Sequence, residues 1–390
     1  MPPHNRIAEF FETYTRDLKA EDLQRLFTRD TRDAYRFFAR HVDLTTLEAL
    51  PWHKRLLAQM RLLFLAFTMK LSPARRIVYG VSLLFMALGL VNLLRTVHLA
   101  EAPIGRVTVI LPGLVFPEGT GLLIIAFGLM NLLVLLEVAD RLSLKNDLEI
   151  AREIQQAMLP SGLFTAPGVE TAGFSRPANT VGGDFYDILP LDDGRVAVAV
   201  GDVAGKGSPA ALLMALLLAM MRTLVDERLE PAELVSRLNV QVSRHAPGTR
   251  FITLFYGVYD TRSGELTYVN AGHLPPLVLR FDDRIERLSD GGIALGMFDH
   301  STYAPGRTIL QSDDLIAIYS DGITEAENAA GSPFDESGLE SALRLHGREP
   351  IATIGSGVLR AVEAHTGDTR FADDLTVLVL RRTAPVAAAV

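Results

Sequence analysis

Residues 195–207 of this 390-residue chain read RVAVAVGDVAGKG. The run before Gly201 alternates β-branched and small apolar residues and predicts a β-strand that ends at an aspartate beside glycine. Glycine lets the backbone approach a ligand closely without steric cost. Three other segments place an acid beside glycine or at a strand end: VGGDFYD at 181–187, YSDGITEA at 319–326 and DDLT at 373–376. The sequence therefore predicts one site assembled from several strand ends.

Four aspartates stand at these predicted strand ends: Asp184, Asp202, Asp321 and Asp373. Carboxylates that converge repel one another unless a cation or a proton relieves them. Divalent cations prefer oxygen ligands, so the pattern favours two such ions, which lower the pKa of a shared water and prepare it to attack phosphorus. The chain has no cysteine, which excludes thiolate metal sites and cysteine-based phosphatase mechanisms.

Strand-like and helix-like segments alternate from about residue 165 onward. Runs of β-branched and aromatic residues bounded by Gly, Asp and Pro predict strands, as in FITLFYGVYD at 251–260 and LTVLVLRR at 375–382. The segments at 208–229 and 231–245 predict helices. The first of these is very apolar, but only about 13 residues precede Arg222, so a core helix is favoured over a membrane span. Strands in runs with helices grouped between them indicate an α+β sandwich.

The motifs and their order resemble those of a known family. AREIQQAMLP at 151–160, VGGDFYD, GDVAGKG, NAGHLPP at 270–276, YSDGITEA and DDLTVLVL at 373–380 are similar to motifs of the bacterial PP2C-like serine/threonine phosphatases of the stage II sporulation protein E and sigma-factor regulator type. The similarity covers about residues 150–382. It implies the PP2C-like α-β-β-α sandwich, in which two antiparallel sheets are flanked by helices.

The resemblance also implies a metal-dependent phosphoprotein phosphatase, a phosphoric monoester hydrolase with two divalent cations, Mn²⁺ or Mg²⁺. Carried over by position, Asp184 and Asp202 bridge the metals, the carbonyl of Val203 assists, and Asp321 and Asp373 complete the ligand shell of one metal. The implied substrate is a phosphoserine or phosphothreonine protein, commonly an anti-sigma-factor antagonist. A catalytically silent membrane scaffold with the same fold is the alternative hypothesis.

Three further polar residues near the motifs each have two interpretations. Lys206 either orients the substrate phosphate or is an ordinary loop lysine. Asp374 is able to exchange roles with Asp373, although the family pattern favours Asp373 as the ligand. Asp187 either supports the metal ligands from behind or lies on the solvent face of its strand. Within NAGHLPP, a role in shaping the turn is favoured over metal binding.

Two charge-free stretches of 18 residues, at 77–94 and 119–136, are each just long enough to span a bilayer. Positive residues cluster before the first and after the second. The positive-inside rule then predicts a multi-pass hairpin in the inner membrane with both ends in the cytoplasm. Two helices buried in a soluble core are the alternative. The apolar segment at 107–116 is either an extension of the second span or an interfacial loop.

These features divide the chain into five predicted parts. They are a helical cytosolic region at 1–74, a transmembrane hairpin at 75–138, a linker helix at 139–160, a phosphatase domain at 161–384 and a tail at 385–390. The linker carries apolar and amide residues at heptad-like spacing, which predicts a coiled coil within a homodimer, with a solvated connector helix as the alternative. The residues at this spacing are Leu144, Leu148, Ala151, Gln155 and Met158. Since the linker is the only covalent path from the membrane part, we expect it to regulate the site.

Net charge changes sign along the chain. Residues 1–76 carry 14 Lys+Arg and 9 Asp+Glu, whereas residues 77–150 carry 4 and 6. Of the total of −8, this leaves −11 for residues 151–390. An acidic catalytic part argues against a nucleic-acid partner, and a basic N-terminal part suits an anionic inner leaflet.

Overall fold

A computed structural model describes residues 71–95, 99–104, 107–112, 120–246, 250–367, 369 and 371–383, together with the single positions Pro51, Phe64 and Thr68. The predicted helical region at 1–74 lies mostly outside the described residues, and the predicted tail at 385–390 lies outside them entirely. The chain divides into two compact units, Met1–Leu142 and Ser143–Val390.

Two helices and a short β-hairpin make up most of the described part of the first unit. The helices are α1 (Pro73–Arg95) and the first half of α2 (Thr120–Met158), which continues without a break into the second unit. The Ser82 hydroxyl of α1 donates to the Ala126 carbonyl of α2 at 2.9 Å. Near one end, the Arg75 guanidinium lies 3.4 Å from Glu137 and 2.7 Å from Asp140. These contacts pack the two helices antiparallel.

Three helices among the described residues are long and apolar enough to cross a membrane: α1, α2 and α3 (Ser208–Val225). They differ in how much of the apolar surface is covered, since 11% of the apolar stretch of α1 and of α2 is buried, against 39% for α3. One face of α3, including Leu217 and Met221, packs in the core of the second unit. The prediction that this segment is a core helix is therefore confirmed.

A short β-hairpin lies between α1 and α2 in sequence. Strand β1 (Leu99–Ile104) pairs antiparallel with β2 (Val107–Pro112), with Ile104 opposite Val107. Of the two alternatives for 107–116, an extension of the second helical span is therefore wrong for residues 107–112, because they form a strand. The β-branched run VTVI favours an extended backbone, and a complementary strand lies only two residues away.

The second unit is built on two sheets. In chain order its strands are β3 (Leu163–Ala166), β4 (Val169–Arg176), β5 (Phe185–Pro190), β6 (Arg195–Val203), β7 (Ile252–Asp260), β8 (Glu265–Ala271), β9 (Leu277–Leu279), β10 (Ile285–Arg287), β11 (Gly291–Gly292), β12 (Gly306–Ile309), β13 (Leu315–Tyr319) and β14 (Leu375–Arg382). One sheet has the order β10-β9-β13-β14-β4-β3, and the other has the order β11-β8-β7-β6-β5 with β12 paired to β8. All described strand pairs are antiparallel except the two-residue pairing of β11 with β8, which is parallel.

Helices cover the outer face of each sheet. Helix α3 and α4 (Pro231–His245) pack on the sheet that contains β6, while α6 (Asp335–His346) and α7 (Ile351–Thr366) pack on the sheet that contains β14. A third apolar core fills the space between the two sheets. The expected α-β-β-α sandwich of the PP2C type is confirmed, and the chain as a whole is α+β.

Strand β6 shows how the sequence produces these layers. Its residues alternate between the two faces of the sheet, as a β-strand requires. Ala197 and Ala199 pack under the helices, whereas Val198 and Val200 face the opposite sheet. Because both faces of β6 are covered, the residues after its first arginine are apolar until Asp202, near the C-terminal end of the strand.

Candidate metal centre

Strand pairing brings the four predicted aspartates to one place. Strands β5 and β6 pair antiparallel, so Asp184, just before β5, lies beside Asp202, near the end of β6. Strands β13 and β14 place Asp321, the first residue of the short helix α5 (Asp321–Thr324), near Asp373, just before β14. The two pairs act on each other: the pKa of Asp202 is raised by burial and, after burial, by the charge of Asp321.

Asp184 is the most deeply buried of the four. It is 4% exposed, and its Oδ2 atom has no hydrogen-bond partner among the described residues. Burial raises the pKa of Asp184 well above its ordinary value, and the neighbouring charge of Asp202 raises it further. Burial and, after it, the charge of Asp321 raise the pKa of Asp202 to about 6. An orphaned buried carboxylate oxygen beside a second acid is an arrangement that a divalent cation relieves.

Gly183 is packed against two of the predicted ligands. A Cβ atom at this position would stand 2.9 Å from the carbonyl oxygen of Val203 and 3.1 Å from Oδ1 of Asp202. Only glycine lets the backbone lie so close. The predicted oxygen ligands Asp184, Asp202 and Val203 are thereby gathered around the glycine that precedes Asp184.

The second pair of aspartates has a different partner. The Lys206 ammonium lies 2.7 Å from Oδ2 of Asp373 and donates to the Ala372 carbonyl at 2.7 Å. The hydrogen bond to Asp373 raises the pKa of Lys206. Burial raises the pKa of Asp321, and the charge of Asp373 adds to that effect. Lys206 is therefore tied to a predicted metal ligand, which argues against an ordinary loop lysine.

Asp374 and Asp373 have different environments. Asp374 is 6% exposed, and its two oxygens accept hydrogen bonds from the backbone N–H groups of Ala178 at 2.8 Å and Gly183 at 2.9 Å. Asp374 therefore holds the loop that leads to Asp184. This arrangement leaves Asp373 as the carboxylate that faces Lys206.

Asp187 does not lie on the solvent face of its strand, so that interpretation is wrong. It is 1% exposed and forms a two-pronged ion pair with Arg222, at 2.8 and 3.2 Å. The same guanidinium donates to the carbonyl of Met158, the last residue of α2, at 2.6 Å. The sequence left both interpretations of Asp187 open because it does not show that α3 covers this part of β5 and supplies the arginine.

The four aspartates do not form a closed cage. Among the described residues, no group of three carboxylates or imidazoles is placed to hold a metal ion as it stands. The donor set nevertheless fits divalent cations, because it consists of hard oxygens with one orphaned buried atom and with pKa values raised by burial and mutual repulsion. The site thus has the right ligands for such ions, without the final arrangement around them.

Gln155 is a functional candidate that sequence reasoning missed. It is 6% exposed; its Nε2 donates to the Gly182 carbonyl at 2.9 Å, and its Oε1 accepts from the Gly182 N–H at 3.2 Å. The Nε2 atom also lies 3.2 Å from the sulfur of Met214. The expected placement of Gln155 in a coiled-coil seam is wrong, since the amide faces its own domain. The signal in the sequence was that Gln155 is the one amide among apolar residues at this spacing, which indicates a specific hydrogen-bond partner.

The NAGH motif shapes a turn. The Asn270 side-chain oxygen accepts from the His273 N–H at 2.8 Å, and the His273 ring contacts the Thr253 hydroxyl at 3.0 Å. Burial lowers the pKa of His273 to about 4. A buried, uncharged imidazole fits the predicted structural role.

Comparison with known proteins supports the resemblance. The family described as Stage II sporulation protein E (SpoIIE) matches residues 192–383, which include three of the four motifs. Phosphoserine phosphatase RsbU of Bacillus subtilis is 29% identical over 243 residues, which make up 61% of this chain and 71% of RsbU. Protein IcfG of Synechocystis is 28% identical over 273 residues, or 63% of this chain and 43% of IcfG.

Solved structures agree with these sequence relatives. The RsbU and RsbW domains of a Mycobacterium tuberculosis protein are 29% identical, with a TM-score of 0.50 over 57% of this chain and 62% of that one. The SiaA-PP2C domain of Pseudomonas aeruginosa is 22% identical, with a TM-score of 0.55 over 62% of this chain and 98% of that domain. The second comparison shows a shared fold.

Proposed function

We propose that the whole chain is a membrane-anchored, metal-dependent serine/threonine phosphatase controlled through α2, on the premise that its second unit is a protein phosphatase of the SpoIIE/RsbU type. No observation on the described residues favours the alternative of a catalytically silent scaffold.

The observation that carries the metal assignment is the pair Asp184 and Asp202. One of them has an orphaned buried oxygen, both have raised pKa values, and the Val203 carbonyl lies beside them. In the proposal these three residues hold two Mn²⁺ or Mg²⁺ ions, and Asp321 and Asp373 complete the ligand set. When bound, such ions lower the pKa of water and offset the charge of the phosphoryl group.

The residues around the ligands have positioning roles in this proposal. Asp374 fixes the backbone of the loop before Asp184 through its hydrogen bond with Gly183. Lys206 holds Asp373 while carrying a positive charge at the mouth of the site. That charge is free to attract the phosphoryl group once Asp373 is engaged by a cation.

The proposed substrate is a phosphoserine or phosphothreonine protein. This follows from the relative RsbU, whose name is phosphoserine phosphatase. A phosphorylated anti-sigma-factor antagonist is the specific form of the proposal.

The proposed anchor is the helix pair α1 and α2. Large apolar side chains on both helices are exposed, among them Ile77 at 69%, Ile124 at 65% and Phe127 at 72%. Exposing this apolar surface to water is unfavourable in free energy, whereas placing it in the hydrocarbon core of a bilayer is favourable. The positive residues that flank the pair place both ends in the cytoplasm in this proposal.

The proposed regulatory path is the C-terminal end of α2. The Gln155 side chain forms hydrogen bonds with both the backbone N–H and the backbone carbonyl of Gly182, two residues before Asp184. Arg222 binds Met158, and the Tyr186 hydroxyl donates to the Pro160 carbonyl at 3.2 Å. Through these contacts, a rotation or shift of α2 would first displace the loop that carries Asp184.

A homodimer is part of the proposal. Farther from the catalytic core, α2 exposes Leu144 at 61%, Ile150 at 48% and Ile154 at 59%. A second α2 is a suitable cover for apolar side chains on a helix of this kind. Dimerisation would give the membrane hairpin a way to set the rotation of the linker.

Hydrolysis of p-nitrophenyl phosphate by the full-length protein in detergent, with Mn²⁺ and with chelator, tests the proposed activity. We expect turnover that depends on Mn²⁺. Equal rates in Mn²⁺ and chelator, or no turnover in either, would refute metal-dependent phosphatase activity.

A further inference from the structure

A cleft of about 390 Å³ opens beside the proposed metal centre. Lys206 and Asp373 are among its lining residues, so the cleft adjoins the proposed centre. A polypeptide whose phosphorylated side chain reaches the aspartates has to lay its neighbouring residues over this part of the surface. The cleft is therefore placed to contact one flank of the substrate.

Two glutamates give the cleft its charge. Glu325 and Glu327 both line it and are both exposed. Neither carboxylate makes an ion pair with any residue that the structure describes. Glu325 faces the metal centre closely enough that its charge contributes to the raised pKa of Asp321, after burial and the charge of Asp373. The cleft thus presents unneutralised negative charge directly beside the place where the phosphoryl group would bind.

The rest of the lining is largely apolar. Phe371, Pro333 and Ala326 contribute surface to the cleft, and the hydroxyl-bearing Thr366 lies buried within it. Lysine and arginine combine a long aliphatic stem with a charged end. A basic side chain is therefore able to place its stem along the apolar surface and its charge near the glutamates.

A neighbouring cleft provides an internal contrast. It has a volume of about 430 Å³ and shares Phe371 with the first. Its Arg176 guanidinium lies over the Phe371 ring at 5.2 Å and forms an ion pair with Glu363. Because these charges are already paired within the protein, this second cleft offers a substrate little charge to recognise. The cleft lined by Glu325 and Glu327, which we call the acidic cleft, differs in this respect.

We infer that the acidic cleft binds the segment next to the phosphorylated residue and selects substrates that carry a lysine or arginine there, with Glu325 and Glu327 as the specificity-determining residues. The inference rests on the proposed phosphatase activity and adds the kind of protein segment that it prefers. In this inference the two ends of the substrate site carry opposite charge. The divalent cations bind the phosphoryl group, and the carboxylates of Glu325 and Glu327 bind the basic residue beside it.

Phosphoserine peptides that differ only in their flanks test this inference. One set carries lysine at each flanking position in turn, and the matched set carries glutamate there. We measure kcat/KM for each peptide with full-length protein in detergent and Mn²⁺, and we compare the lysine-to-glutamate ratio within each enzyme. For the wild type, we expect the ratio to exceed one by about threefold to fivefold at one or more positions, the effect of a partly exposed ion pair.

Charge substitutions in the acidic cleft supply the decisive comparison. In the double variant E325Q/E327Q the ratio should fall to about one, and in E325K/E327K it should invert. The control E230Q/D226N removes the same two charges from exposed positions near the ends of α3 and α4 and should keep the wild-type ratio. Because each ratio is taken within one enzyme, a changed metal affinity cancels.

The outcomes separate the two levels of the proposal. If the wild type hydrolyses no phosphopeptide and no p-nitrophenyl phosphate, the proposed activity itself fails. If it hydrolyses the peptides with a ratio of one at every position, or if E325Q/E327Q keeps the wild-type ratio, the activity stands and the acidic cleft has no role in selection.

Discussion

The two pairs of aspartates at the centre of this protein differ in what neutralises them. Asp184 is buried beside the half-buried Asp202, both have raised pKa values, and one carboxylate oxygen of Asp184 has no partner among the described residues. Asp321 and Asp373 are both half-buried, and Asp373 already faces the ammonium of Lys206. The contrast indicates that the negative charge of Asp184 and Asp202 is neutralised by a bound cation or by protons. The charge of Asp373 is instead offset by the Lys206 ammonium of the same chain.

The largest expected effect concerns the first pair. Replacing Asp202 with asparagine (D202N) should lower Mn²⁺-dependent kcat/KM by more than about 100-fold, since even residues that only orient a metal ligand cost about 10- to 100-fold when removed. The measurement is hydrolysis of p-nitrophenyl phosphate with circular dichroism as a check on the fold. The control D192N changes an exposed aspartate on the same unit and should keep wild-type activity.

The same assay on D373N distinguishes the two pairs. Loss of Asp373 should cost about tenfold and should be partly recovered at high Mn²⁺ concentration, because this carboxylate is one ligand at the more exposed end. Equal losses in D202N and D373N would break the contrast between the pairs.

The next effect concerns α2, whose Gln155 contacts the loop that leads to Asp184. Gln155→Leu removes the hydrogen-bond partner of the Gly182 backbone N–H and carbonyl, and a buried polar group without a partner lowers the stability of the fold around it. We expect a fall of about tenfold in kcat/KM and a higher Mn²⁺ concentration for half-maximal activity. Gln156→Leu makes the same chemical change at an exposed position of α2 and is the matched control. Identical Mn²⁺ titrations for both variants would exclude Gln155 as a link to the site.

A moderate effect is expected on stability as pH changes. The ordinary pKa of aspartic acid is 3.8, and that of Asp202 is raised to about 6 in the folded protein. The folded state therefore binds this proton more tightly than the unfolded state does, so the stabilisation is present at low pH and is lost as pH rises through about 6.

In chelator, the Asp202 proton alone should thus lower the unfolding temperature by a few °C between about pH 5 and pH 7, since each pKa unit is worth about 1.4 kcal/mol. Buried His273, whose pKa is lowered to about 4, acts in the opposite direction over this range, so the Asp202 effect is measured as the difference in unfolding temperature between the wild type and D202N. Mn²⁺ should raise the unfolding temperature of the wild type more at pH 7 than at pH 5. Relative to the wild type, D202N should gain a few °C in unfolding temperature from pH 5 to pH 7 in a thermal unfolding series. A difference between the two proteins that stays constant over this range would contradict the account.

The smallest effect is expected at Lys206. Lys206→Met removes the cation that faces Asp373 and makes the site more negative, so Mn²⁺ should bind about threefold more tightly in a calorimetric titration. Lys206→Arg keeps the charge and should bind as the wild type does. Weaker Mn²⁺ binding by the methionine variant would show that the lysine does not compete with a cation at Asp373.

Much of the fold was predictable because its signals are local. Strand β6 is apolar on both faces and ends at an acid beside glycine, so both its extent and the position of Asp202 could be inferred from sequence. The end of α2 at Met158 follows from Pro160, which disfavours helix at the residue before it. The four aspartates were chosen for the same reason, and the structure brings them together.

The remaining features depend on contacts between segments far apart in sequence. Asp187 was assigned to an exposed face as one possibility, but α3 covers it and supplies Arg222. Gln155 was counted in a seam between subunits because its spacing fits a heptad, whereas its partner is a backbone peptide 27 residues away. Strand β2 was missed because its apolar run fits several structures until a partner strand is known.

Calorimetric titration of Mn²⁺ into the full-length protein at pH 6, in two buffers of different ionisation enthalpy, tests the central claim most directly. The account predicts that the wild type binds Mn²⁺ with release of protons, because a cation displaces the protons that Asp184 and Asp202 retain, and that D202N loses both the tight binding and the proton release. Mn²⁺ binding by D202N with wild-type affinity and the same proton release would contradict it.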